Sequence, residues 1–175
     1  MVSLTETLRS IVLHCRDMGL FGGGTVLSRA QFRSELRELG LLGSRFGTDE
    51  CRRAVEGVLR IPVDVEMMPD AGVEEWSEEL ASSGDLAELC YSPAEGHAIV
   101  VFRESLLGAP WPAYELAVFH ELAHLIGRHH ETADSRSTES GRRCMEAEAD
   151  QRAKWLLLAG LYPEAFAHEA ADRVA

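Results

Sequence analysis

Residues 120–124 read His120-Glu121-Leu122-Ala123-His124, a complete His-Glu-x-x-His. Four residues along a helix turn through about 400°, so the two imidazoles stack on one face, one turn apart. That spacing suits two ligands of a tetrahedral Zn²⁺. Glu121 lies about 100° around from His120, near enough to such a metal to deprotonate a water without being a ligand. Metal, polarised carbonyl and general base together make peptide-bond hydrolysis feasible at neutral pH. On an exposed helix the same residues would be an ordinary solvated face. Here the motif is threaded through Leu116, Phe119 and Ala123 at helical spacing and follows an apolar strand, which argues for a positioned site.

Two histidines leave a metal site incomplete, so a third protein ligand is expected. Gly127 follows His124 by three residues, and His129 and His130 by five and six, so the metzincin continuation is absent. His129 and His130 read as a clustered surface pair. Better third-ligand candidates lie in Cys144-Met145-Glu146-Ala147-Glu148-Ala149-Asp150, where Ala147 and Ala149 allow two helices to approach closely. Glu146 and Glu148 differ by about 200° in direction, so an ideal helix cannot point both at one ion. An acidic face open to water is the other account of this run.

Several elements must hold these residues. Leu4 to Met18 has helical spacing, and Phe21-Gly22-Gly23-Gly24 reads as a flexible turn lacking the Gly-Lys-Ser/Thr ending of a phosphate loop. Ser28 caps a second helix to about Leu39, and a third begins at Thr48 or Asp49 after a glycine-rich linker. At Ile61–Met67 the period shifts to that of a strand, while residues 73–83 suit a short acidic helix or a loop equally. Leu86–Tyr91 and His97–Phe102, separated by Ser92-Pro93-Ala94-Glu95-Gly96, read as a hairpin. The motif helix runs from about Ala113 to Gly127, and residues 129–143, without an apolar stripe, read as a loop. A further helix resumes near Arg143 and fades at Gly160, and Pro163 opens a last short one. The expectation is an α+β fold: a small sheet of about three strands, or a larger one, packed on a helix bundle carrying the motif helix. One domain, 1–175, divides into N-terminal helices (1–54), a catalytic core (55–160) and a helical tail (161–175).

Over roughly residues 55–160 the chain resembles the ImmA/IrrE-type metallopeptidases. The likeness rests on His120-Glu121-Leu122-Ala123-His124, and on Glu148-Ala149-Asp150 followed by Ala153 and Leu156-Leu157. Arg152 stands where the family pattern has an aromatic residue, and Leu158-Ala159 where it has Met-Pro. The resemblance implies Zn²⁺ held by His120, His124 and Glu148, with Glu146 in reserve, Asp150 in support and Glu121 as the catalytic base. It also implies a regulatory protein as substrate or partner, such as a helix-turn-helix repressor.

The composition narrows the remaining classes. With 46% hydrophobic and 26% charged residues over 175 positions, the chain is globular rather than disordered. Its net charge of −12 repels phosphate backbones, which disfavours direct nucleic-acid binding. No stretch approaches the roughly 20 apolar residues of a membrane span, and MVSLTETLRS lacks the form of a secretory signal. The four cysteines form no CxxC pair, so a cytoplasmic location is expected. Two readings stand: a zinc-dependent endopeptidase of restricted specificity, and a non-catalytic zinc-binding regulatory protein.

Overall fold

In the computed structural model, residues 27–70, 86–92, 94, 96–131 and 138–167 are described. The expected helix at 4–18, the triple glycine, the 73–83 segment and the end of the tail lie outside them. The fold is mixed α+β, a three-stranded sheet beside a helix bundle that contains the motif helix.

Helix α1 spans Arg29–Glu38 and opens on a capping box. The Ser28 hydroxyl accepts from the Gln31 amide, and the Gln31 side chain accepts from the Ser28 amide. Helix α2, Thr48–Leu59, begins at the first of its two expected starts, with Gly47 in the cap position. The Gly47 amide then donates to the Glu50 carboxylate. Strand β1, Val63–Met68, pairs in parallel with β3, His97–Arg103. β3 in turn pairs antiparallel with β2, Ala87–Ser92, giving the order β1-β3-β2. The expected hairpin is therefore present, with β3 at the centre. Period-two alternation puts Val63, Ala98 and Val100, all fully buried, on the face toward the helices, with Val65, Leu89 and Tyr91 beside them. Met68 and Val101 form a smaller cluster on the other face.

Helix α3, Ala113–Ile126, is the centre of the molecule. Leu116, Val118, Phe119, Leu122 and Leu125 are buried on more than one side, as a helix wrapped by neighbours requires. Each such side chain stabilises the fold by about 1.5–3 kcal/mol. The principal partner of α3 is α4, Glu139–Leu161, a 23-residue helix about 34 Å long. A four-residue helix α5, Glu164–Ala167, follows and places Phe166 against Phe32 of α1.

Two boundaries of α4 differ from the sequence expectation. The helix begins four residues before Arg143, where the Thr138 hydroxyl accepts from the Gly141 amide and Glu139 pairs with Arg142 and Arg143. This first turn is held by a cap and local ion pairs, so it has no apolar stripe to read. At the other end the helix runs through Gly160, where a Cβ would lie 2.3 Å from the Phe46 carbonyl oxygen. The glycine there permits a close approach of backbone to backbone and does not end the helix. Among the described residues, no helix is long and apolar enough to cross a membrane.

Candidate metal centre

The site is built across two helices. His120 and His124 stand four apart on α3, and Glu146 and Asp150 four apart on α4, so each pair projects from one edge of its helix. The His120 and His124 Nε2 atoms are 3.1 Å apart. Glu146 Oε2 lies 3.1 Å from the first and 3.5 Å from the second. Bonds of about 2.0–2.1 Å at tetrahedral angles hold ligand atoms about 3.3–3.4 Å apart, so this triangle has the edges of a zinc coordination face.

Proton placement gives the same reading. Asp150 Oδ1 lies 2.9 Å from His120 Nδ1, and because a carboxylate can only accept, Nδ1 carries the proton. Nε2 then faces a second carboxylate and a second imidazole. Burial works against a charge on His120, but the hydrogen bonds to Asp150 and Glu146, aided by the Glu121 charge, raise its pKa to about 10. Hydrogen bonds from His120 and His124 hold Glu146 far below the usual carboxylate range. A metal and that proton would compete for the same nitrogen, so metal uptake here would release protons. The donor set, two imidazoles and a carboxylate, is one that zinc takes.

The third donor beside the histidines is Glu146, where the sequence reading placed Glu148 first. Glu148 Oε1 lies 2.6 Å from Arg152, and its other oxygen is 3.7 Å from His129. Arg152 itself is buried and makes two 2.9 Å bonds to Glu35 of α1. That arginine, paired with Glu148, holds it away from His120 and His124. Asp150, the residue expected in support, makes a direct contact with His120. The 146-to-150 spacing carries the signal for both residues, since positions four apart share a helix edge while 148 and 150 do not.

Glu121 is buried, next in sequence to His120 and outside the donor triangle. The surface-pair reading of His129 and His130 is corrected. His129 is 4% exposed, with Nδ1 2.9 Å from Nδ1 of His124. The buried His130 ring lies 4.5 Å from that of Tyr91, tilted 59° to it. Burial and repulsion from His124 push the His129 pKa down to about 4, against the pull of Glu148. A left-handed Arg128, with φ 52°, turns the chain back after α3 and brings these rings inward. Periodicity cannot reveal a turn of that kind.

The side of the triangle facing solvent is the Glu146 side, whose side chain is 60% exposed against 21% for His120 and 14% for His124. Comparison with family models, with curated proteins and with solved structures finds no match for the chain. The arrangement itself is gluzincin-like: a His-Glu-x-x-His helix completed by a glutamate from the next helix, a cluster geometrically consistent with a catalytic zinc site.

Proposed function

We propose that the protein is a zinc-dependent endopeptidase of restricted specificity, of the ImmA/IrrE type, acting in the cytoplasm on a regulatory protein such as a helix-turn-helix repressor. The observation that carries this is the triangle of His120, His124 and Glu146, with the buried Glu121 next to His120 and outside the triangle. Zinc bound there would polarise a substrate carbonyl and acidify water. His120 and His124 offer their Nε2 lone pairs from one helix, and Glu146 supplies the compensating negative charge. Asp150 keeps the proton on His120 Nδ1. Glu121 accepts a proton from the attacking water and delivers it to the leaving amine. Structural zinc sites take four protein ligands, whereas catalytic sites keep one position open. Among the described residues the donor set stops at three, which favours turnover over a purely structural or sensing role. The net charge of −12 suits a basic protein partner.

The test compares wild type and E121Q, both zinc-loaded, on purified helix-turn-helix repressors and on casein as an unfolded control, with fragments read by mass spectrometry. Wild type cleaves a repressor. E121Q keeps its zinc and its fold and loses about 10²–10⁴-fold in rate, the usual contribution of a general base. Intact substrates throughout, with zinc bound, would establish the non-catalytic zinc-binding regulator instead.

A further inference from the structure

His124 differs from His120 in what stands behind it. His120 is backed by a carboxylate, whereas His124 faces a second imidazole, that of His129, at 2.9 Å between Nδ1 atoms. With the His124 Nε2 in the donor triangle, its Nδ1 is the nitrogen left to carry the proton, and the His129 Nδ1 must accept it. His129 then bears its own proton on Nε2, the nitrogen 3.7 Å from Glu148.

We propose that His129 is a positioning residue of the metal centre, accepting the His124 Nδ1 proton and so fixing the tautomer and ring orientation that present His124 Nε2 to zinc. This rests on the reading of His120, His124 and Glu146 as a zinc site.

The surroundings of His129 are built to hold one ring orientation. At Gly127, in ordinary helical backbone, a Cβ would lie 2.6 Å from His129 Nε2 and 2.8 Å from an Arg152 Nη1. The glycine is therefore there for space. The left-handed Arg128 that follows reverses the chain, at the energetic cost that conformation carries for a residue with a Cβ. On the far side Glu148 bridges toward Arg152, and Arg152 is fixed by its two bonds to Glu35. A chain of contacts thus runs from α1 through α4 to a metal-ligand imidazole. Simple packing would need a residue of the right size in this pocket, but not a nitrogen acceptor aimed at His124.

The experiment uses the full-length protein and two variants. H129L fills the space without an acceptor, and H129N places a carbonyl oxygen near the lost Nδ1. Zinc affinity is measured by competition with a chromophoric chelator, Co²⁺ substitution reports ligand geometry through its visible spectrum, and circular dichroism reports the fold. H129L is expected to remain folded, to bind zinc about 10–100-fold more weakly, and to shift the Co²⁺ bands. H129N is expected to recover most of both. In zinc-loaded wild type, ¹⁵N shifts of the histidine rings should show His124 protonated at Nδ1 and His129 at Nε2, a readout that stands even if a variant fails to fold. Wild-type affinity and spectrum in H129L overturn the proposal, as does an H129N as weak as H129L, or a His129 protonated at Nδ1. A wild type that takes up neither zinc nor Co²⁺ overturns the zinc reading itself and this proposal with it, and is distinguished by the failure of every variant alike.

Discussion

Replacing each of the two glutamates separately decides which one the metal uses. In E146Q an oxygen remains within reach of the histidines, at the position now 3.1 Å and 3.5 Å from their Nε2 atoms, but the negative charge is gone. Groups that merely support a ligand contribute about 10–100-fold to metal affinity. A direct, charged ligand should exceed the upper end of that range, so E146Q should weaken zinc binding by more than about 100-fold, or about 2.7 kcal/mol. In E148Q the group lost is a 2.6 Å partner of Arg152, which keeps both bonds to Glu35. Its zinc affinity should change by less than about 10-fold. Its stability should fall by about 1–2 kcal/mol, a modest figure because Glu148 is 25% exposed. Chelator competition at fixed pH measures the first quantity, and urea unfolding of the metal-free proteins the second. Zinc lost in E148Q and retained in E146Q would refute the assignment and restore Glu148 as the third ligand.

Three further outcomes follow from other contacts. D150N removes the acceptor 2.9 Å from His120 Nδ1 and should weaken zinc binding about 10–100-fold with the fold intact; unchanged affinity would make that contact incidental. G160A forces a Cβ to within 2.3 Å of the Phe46 carbonyl, backbone against backbone, and should destabilise by about 1–3 kcal/mol or more in urea; an unchanged midpoint would refute the close approach. Burial pushes the Cys51 thiol up to about 12, while Cys90 and Cys144 are exposed. Native protein at pH 8 should therefore alkylate at Cys90 and Cys144 and reach Cys51 only in denaturant, and mass spectrometry showing equal rates at all three would contradict the packing of α2.

What the sequence disclosed was local. The two histidines and Glu121 are legible because i to i+4 geometry needs only one helix. The Ser28 cap, the hairpin and the α+β class are legible for the same reason, since each signal sits within a few residues of the element it governs. The carboxylate that stands beside the two histidines was not, because bringing Glu146 there in place of Glu148 depends on the rotational phase of α4 against α3. Ala149, Ala153, Leu156 and Gly160 set that phase by packing inward. His129 was hidden by a backbone turn at Arg128, and the start of α4 by its dependence on charges and a cap rather than apolar spacing.

The two flanks of α4 carry a mechanical consequence. At about 100° per residue, Glu146 and Asp150 border its buried stripe on one side, and Glu148 and Arg152 border it on the other. One flank is tied to the histidines of α3 and the other to Glu35 of α1. Rolling the rod by about 20° would sweep side-chain tips some 2 Å along their arc, given a helix radius of about 5–6 Å with side chains. Such a sweep would part a 2.9 Å hydrogen bond on either flank. The rod is therefore pinned like an axle keyed at two edges, and a partner that pries α1, and Glu35 with it, away from Arg152 would loosen the rotational key on which the distant donor triangle depends.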